Sequence, residues 1–128
     1  MNKIKTYSKE EQAVAVNILL LAFSGDPFQR YLMPDPSIYF QNSTIWFNNL
    51  ASQSISIKAL LGTEDRSGVA LWFPPKYAVQ FEDIEGTYKD FASASQKDIF
   101  QYFAEFEKNK PKDAWYLEYL GVDPRSHS

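Results

Sequence analysis

The chain has 128 residues, of which 45% are apolar and 16% aromatic, and this is enough material for one domain with a sizeable core. Its formal net charge of -3 and the scatter of its 13 Lys and Arg residues provide no basic surface for a phosphate backbone, which excludes nucleic acid as the expected partner. The sequence contains no cysteine and one histidine, so thiol nucleophiles, disulfides and metal sites of the usual ligand spacing are excluded as well.

The N-terminus and the apolar stretches determine the compartment we expect. Met1 to Tyr7 alternates polar and apolar residues and lacks the apolar centre of a signal peptide. The longest apolar stretch, Ile18 to Phe23, is far shorter than the roughly twenty residues that span a bilayer. We therefore expect a cytoplasmic protein with no membrane partner.

The first elements predicted are a short strand and a helix. Ile4 to Tyr7 has the composition of a strand, and Ser8 to Glu11 is a capping box that opens a helix. Apolar residues at helical spacing continue this helix to about Phe23. Gly25 is expected to end it in the left-handed conformation.

A second helix is predicted after a loop from Asp26 to Pro34. Asp35 is placed as an N-cap and Pro36 as the first helical residue, where a missing N–H costs nothing. The helix is expected to extend to about Gln53.

The apolar period then changes from helical to alternating, which predicts a β-hairpin. Its first strand is expected from Ser54 to Leu61 and its second from Val69 to Phe73, with a polar turn over 62–68. Pro74 and Pro75 end the second strand, because proline cannot donate to a sheet ladder.

The last third of the chain predicts helical segments followed by a strand. Phe81 to Phe91 and Ser95 to Phe106 carry apolar residues at helical spacing, as one bent helix or as two. Trp115 to Val122 is rich in aromatic and aliphatic residues and predicts a strand. Strict alternation would give this strand apolar side chains on both faces, so we expect it to be central and covered on both sides. The element order predicts a single α+β domain.

Three segments resemble one branch of the GNAT superfamily of N-acetyltransferases. Ala22 to Phe28 (AFSGDPF) is similar to the "AF..DP" joint between the family's first two helices, and Gly68 to Pro75 (GVALWFPP) is similar to its "G.ALW..P" strand. Trp115 to Pro124 (WYLEYLGVDP) is similar to its "WYL..LGVDP" fourth strand. In the family this strand runs into an acyl-CoA loop of the form Gln/Arg-x-x-Gly-x-Gly/Ala.

The resemblance implies a fold and also shows a departure from it. It implies that residues 1–128 are a single incomplete GNAT-like domain, a mostly antiparallel sheet flanked by helices. His127 stands at the first position of the acyl-CoA loop, and the sequence stops at Ser128 before the loop's glycines. In the family those backbone amides bind the pyrophosphate of acetyl-CoA. We therefore expect no acetyl transfer and at most weak acetyl-CoA binding by this chain alone.

The resemblance also implies a reaction, in which an amine attacks acetyl-CoA directly and a base removes its proton. Glu118 is the only acidic residue from Trp115 to Val122, and burial within the strand would raise its pKa toward the useful range. It is the first candidate for the base, and Tyr116 is the second. The competing interpretations are a solvated glutamate and an ordinary core tyrosine.

Further site residues follow from the resemblance alone. Family members pair main-chain groups near Leu120, Gly121 and Val122 with the pantetheine arm of acetyl-CoA. Without a ligand, Gly121 would mark a bulge or a close approach of two backbones.

The acceptor pocket of related proteins lies at the joint between the first two helices. That comparison assigns Asp26, Phe28 and Trp72 to the walls of the acceptor pocket. Ordinary turn chemistry and strand packing explain the same residues without a substrate. His127 is too close to the chain end to be expected in a site.

Two functions compete at this point. The first is an N-acetyltransferase that moves an acetyl group from acetyl-CoA to a small-molecule or peptide amine. The second is a non-catalytic α+β module for interaction or dimerisation. Because the last strand is apolar, we expect a homodimer or higher oligomer that buries some of Tyr116, Leu117, Tyr119, Leu120 and Val122. The competing arrangement is a monomer whose own helices cover the strand.

Overall fold

The computed structural model describes residues 2–81 and 93–126 of the chain. They form four strands and four α-helices, which we number in chain order: β1 (Ile4–Thr6), α1 (Gln12–Phe23), α2 (Pro27–Leu32), α3 (Pro36–Ser56), β2 (Leu60–Thr63), β3 (Gly68–Phe73), α4 (Ser93–Asn109) and β4 (Tyr116–Val122). Short 3₁₀ turns lie at Lys9–Glu11 and Pro124–Ser126. The helix predicted from Phe81 to Phe91 falls, apart from Phe81, outside the described residues, as does His127.

The four strands form one antiparallel sheet in the order β1-β2-β3-β4. This confirms the predicted α+β class with a mostly antiparallel sheet. The prediction that the last strand is central was wrong, because within the described residues β4 pairs with β3 alone and lies at an edge. Among those residues no helix is long and apolar enough to cross a bilayer.

The helices cover one face of the sheet. α1 contacts β3 and β4, and α3 contacts β2 and β3. Between these layers lies a core that includes the fully buried Leu19, Phe47 and Leu71. The opposite face, which we call the outer face, carries Leu120 and Ile4 with 61% and 64% of their surface exposed. The sheet is therefore covered by the described helices on one side only.

The helix starts follow the local chemistry of the sequence. The Glu11 carboxylate accepts hydrogen bonds from the Ser8 N–H at 3.0 Å and from its hydroxyl at 3.2 Å, which confirms the capping box. At the start of α3, the Asp35 carboxylate accepts from the Ser37 N–H at 2.9 Å, and Pro36 is the first helical residue. The capping box opens the 3₁₀ turn that leads into α1 at Gln12, and α3 begins where the sequence predicts.

The segment after α1 differs from the prediction. No described glycine has a positive φ, so Gly25 does not end α1 in the left-handed conformation. The loop predicted from Asp26 to Pro34 contains α2 instead. Asp26 caps this helix by accepting from the Gln29 N–H at 3.0 Å, and Pro27 is its first residue. The chain thus passes from α1 into α2 without a left-handed reversal.

The first strand of the predicted hairpin was placed too early. Residues 54–56 belong to α3, and β2 begins only at Leu60. α3 ends with Lys58 at φ 57, where the Lys58 N–H donates to the Ile55 carbonyl at 2.9 Å and the Ala59 N–H to the Ser54 carbonyl at 2.8 Å. These two bonds are a Schellman cap with lysine in the position that glycine usually occupies. The cap directs the chain into β2.

Candidate functional site

A β-bulge in β4 determines where its side chains point. Tyr119 pairs with Leu71 and Leu117 pairs with Trp72, so Glu118 is an extra residue between two consecutive pairs. Leu71 faces the helices, and Tyr119 shares that side. The expected alternation, with Leu117 and Tyr119 on one face and Glu118 between Tyr116 and Leu120 on the other, was wrong because the bulge shifts the pattern by one residue.

The bulge directs Glu118 and Tyr119 into one cleft between β4 and three helices. The cleft has a volume of about 100 Å³. α2, α3, α4 and β4 all contribute to its lining: Phe28, Gln29, Leu32, Met33, Asn42, Ser43, Trp46, Phe47, Phe103, Glu118 and Tyr119. Of these lining residues, Glu118 alone is charged, so a carboxylate lies in a mainly aromatic and aliphatic recess.

The environment of Glu118 alters its acidity. Burial raises the pKa of the Glu118 carboxyl above its ordinary value, because the charged form loses its hydration. The positive charge of Lys110 opposes this shift, and the negative charge of Glu107 adds to it. The predicted direction of the pKa shift is confirmed. A group that is desolvated yet reachable from a cleft suits proton transfer.

Tyr119 is held firmly beside the carboxylate. The Trp46 indole N–H donates to its hydroxyl oxygen at 3.1 Å. Its ring meets Phe23 and Phe47 edge to face, with centroids 5.3 and 5.0 Å apart. Burial, followed by the charge of Glu118, raises the pKa of the Tyr119 hydroxyl. Tyr119 is therefore a neutral, positioned hydroxyl in the wall of the cleft.

Tyr116, the second candidate base, lies away from this cleft. Its ring packs edge to face on Phe106 with centroids 5.8 Å apart, and the Lys110 Nζ lies 4.1 Å above it. Burial and the nearby Glu118 raise the pKa of the Tyr116 hydroxyl to about 12. A phenol with that pKa stays protonated at neutral pH.

The three residues expected around an acceptor are not brought together. Phe28 lines the cleft with Glu118. The Asp26 carboxylate is occupied in capping α2. Trp72 alternates with the buried Leu71 and Phe73, so its side chain points to the outer face, where it shares a shallow recess with Trp115. Only Phe28 is placed to contact the same molecule as Glu118.

The predicted cofactor residues lie at the exposed edge of β4. Leu120 and Val122 direct their side chains to the outer face. A Cβ built on Gly121 would lie 3.1 Å from Leu19 Cδ2 and 3.2 Å from Ala22 Cβ, so α1 approaches this glycine closely. Within the described residues, the other backbone edge of β4 has no partner strand, which leaves its N–H and C=O groups able to bind an extended ligand.

Several cleft residues were not predicted from the sequence. Tyr119 was considered only as an apolar residue of the last strand and of a dimer interface, and Trp46 and Phe47 only as helix packing. One signal was present, because Asn42 with Trp46 and Ser43 with Phe47 are spaced four apart and therefore share a side of α3. The contribution of α4, through Phe103, depends on tertiary packing that no local pattern shows.

The described residues contain no group of three or more His, Asp or Glu side chains that could hold a metal ion. No protein-family model matches the chain, and no curated protein matches it either. The chemistry of the cleft therefore carries the functional argument.

Proposed function

We propose that this chain carries the amine-binding and proton-accepting part of an acetyl-CoA-dependent N-acetyltransferase, with Glu118 as the general base. One observation carries the proposal: the bulge in β4 directs Glu118 into an apolar cleft beside a strand edge that has no partner strand among the described residues. The resemblance of β4 to the fourth strand of GNAT proteins supports the same assignment.

The reaction needs a neutral amine next to a thioester. An amine enters the cleft as an ammonium ion, and the Glu118 carboxylate accepts one of its protons. The amine nitrogen then attacks the thioester carbonyl of acetyl-CoA. The C–N bond forms and the C–S bond breaks. The thiolate leaves and takes up the proton that the nitrogen loses as the amide forms. Because burial raises the pKa of Glu118, the carboxylate is a stronger base than in water.

The edge of β4 fits the amide-bearing arm of the acetyl donor. Amide groups of an extended ligand pair with a strand edge as another strand does. The backbone of Leu120, Gly121 and Val122 lies on that edge, two residues from Glu118. Close packing of α1 under Gly121 fixes the position of this backbone segment.

Amide chemical shifts test the donor site directly, because NMR detects millimolar binding. On titration with coenzyme A, we expect the N–H signals of Leu120 and Val122 to move, while those of β1 at the opposite edge stay unchanged. No shift in β4 at millimolar concentration would contradict this part of the proposal.

The base is tested in a polypeptide that includes residues 1–128 and acetylates an amine. Glu118→Gln keeps the size of the side chain but cannot accept a proton, so we expect amine acetylation to slow by roughly a hundredfold or more. Tyr116→Phe is the matched control and should keep most of the rate, because Tyr116 packs on Phe106 and does not line the cleft. An unchanged pH–rate profile in Glu118→Gln would assign the proton to Tyr116, to water or to another residue.

A second function is favoured by the outer face of the sheet. Leu120 and Ile4 are 61% and 64% exposed there, next to the exposed Val122 and Trp115. Exposed apolar surface beside an open strand edge is typical of an association site, and a second copy would satisfy both chains identically. On this view, the chain is a dimerisation module.

Light scattering at low micromolar concentration tests the second function. We expect a dimer for the parent chain and a monomer for Leu120→Lys. Ile45→Lys is the control, since Ile45 is exposed on α3, on the other side of the sheet, and should leave the dimer intact. A monodisperse monomer for the parent chain would reject this function.

A further inference from the structure

The composition of the cleft indicates which amine it accepts. Aliphatic and aromatic side chains form most of its surface, including Phe28, Leu32 and Phe103. Asn42, Ser43 and Gln29 are uncharged polar contributors, and among the described residues that line the cleft Glu118 alone is charged. Within this described lining, a single negative charge can neutralise one cation.

The aromatic rings near Glu118 strengthen this preference. Trp46 and Tyr119 line the cleft with Glu118 and are joined by a hydrogen bond of 3.1 Å. Faces of aromatic rings attract ammonium ions, and the attraction grows when water is excluded. The carboxylate and the rings together therefore favour one ammonium group.

The size and surface of the cleft limit the remainder of the ligand. Its volume of about 100 Å³ provides room for an ammonium group and an alkyl chain of about six carbon atoms. An apolar tail gains by leaving water for the side chains of Phe28, Leu32 and Met33. A second ammonium group at the end of the tail would lose hydration without gaining a counter-charge.

We propose that the cleft selects primary monoamines with an apolar tail over diamines and other polycations, with Glu118 binding the ammonium and the aromatic walls binding the tail. This inference names the substrate class of the proposed acetyltransferase and in that sense rests on the proposed function. Its test uses binding alone, so that the two can fail separately.

Three probes of matched chain length test the selection on the parent chain. n-Hexylamine carries one ammonium, 1,6-diaminohexane carries two, and 1-hexanol carries none. Trp46 lines the cleft whereas Trp72 and Trp115 lie at a recess of the outer face, so binding in the cleft should change the fluorescence of Trp46. We expect hexylamine to bind at least about tenfold more tightly than either of the other probes.

Variants locate the binding. Glu118→Gln should remove the preference for hexylamine over hexanol, and Glu105→Gln should keep it, because Glu105 is exposed on α4 and does not line the cleft. Trp46→Phe should remove the fluorescence response and, by calorimetry, weaken hexylamine binding, because the indole face is lost from the wall of the cleft. If Glu118→Gln fails to fold, the comparison of the three probes on the parent chain still decides the outcome.

Equal affinity for all three probes, or tighter binding of the diamine, would overturn the inference. So would a preference for hexylamine that survives in a folded Glu118→Gln variant. Selective hexylamine binding without acetyl transfer by a polypeptide that includes residues 1–128 would reject the proposed function and support the inference. Acetyl transfer that is as fast with the diamine as with hexylamine would do the reverse.

Discussion

The replacement of Gly62 by alanine tests the contact that fixes β2 against the chain entering α1. The Tyr7 ring lies directly over Gly62 and is only 1% exposed. The Tyr7 hydroxyl donates to the Thr63 carbonyl at 2.7 Å, and the backbone N–H of Tyr7 donates to the Leu60 carbonyl at 2.8 Å. A Cβ built on Gly62 would overlap three atoms of the Tyr7 ring, so the ring has to leave its place.

The expected cost follows from what the ring loses. Full burial of a large apolar side chain contributes about 1.5–3 kcal/mol, and one intramolecular hydrogen bond contributes about 1 kcal/mol net. Partial re-burial of the displaced ring recovers some of the first contribution. We therefore expect Gly62→Ala to lower the free energy of unfolding by about 2–4 kcal/mol, a large part of the roughly 5–15 kcal/mol typical of a domain.

Urea unfolding followed by tryptophan fluorescence measures this loss. Gly25→Ala is the matched control, because a Cβ at Gly25 meets nothing within 4 Å and its φ is not positive. That variant should be unchanged or gain up to about 1 kcal/mol. Tyr7→Phe keeps the ring and should lose only about 1 kcal/mol. Equal unfolding midpoints for Gly62→Ala and Gly25→Ala would refute the reasoning.

Two further predictions concern stability. Lys58→Gly should raise the free energy of unfolding by about 1 kcal/mol in the same urea assay. Lys58 has a φ of 57°, and a left-handed backbone costs a residue with a side chain about 1–2 kcal/mol. A loss of stability in this variant would contradict the Schellman cap. Burial raises the pKa of Glu118 above its ordinary value of 4.5, so the folded state binds the proton more tightly than the unfolded state does. The stability that this tighter binding contributes is fully present below pH 4.5 and is lost as the pH rises through the pKa of the folded state. Glu118→Gln, which stays neutral, should therefore be more stable than the parent at pH 7 and lose that advantage toward pH 4, although Lys110 reduces the effect and Glu107 enlarges it.

Helix starts could be predicted because their chemistry is local. The free N–H groups at a helix start find partners within three residues of sequence: the Glu11 carboxylate accepts from the Ser8 N–H and the Asp35 carboxylate from the Ser37 N–H. Pro36 has no N–H that would need a partner. The structure contains both caps. The end of α3 had no such signal. A lysine in the left-handed position is recognised only from the backbone, so the alternation of Ile55 and Ile57 suggested a strand where a helix continues.

The site was predictable in part for a similar reason. Glu118 stands out as the only acidic residue in an apolar strand, and its burial follows from that setting. The residues that surround Glu118 could not be deduced. Strict alternation places all side chains of β4 according to one register, and the bulge at Glu118 changes that register. Trp72 was expected beside the acceptor, yet its pairing partner is Leu117 and both point outward. Tyr119 was not expected there, yet it lines the cleft.

The single extra residue in β4 connects the two functions that the chain could serve. Without the bulge, strict alternation would place Glu118 and Tyr119 on opposite faces of the sheet, and one of them would leave the cleft. With it, Glu118 and Tyr119 meet in the cleft while Leu120 and Val122 still point to the outer face. A bulge leaves its extra residue outside the hydrogen-bond ladder, which costs pairing energy in the strand. Among the described residues, the bulge lies where a carboxylate enters an apolar recess beside the edge of the sheet, and this is the arrangement on which the proposed proton transfer depends.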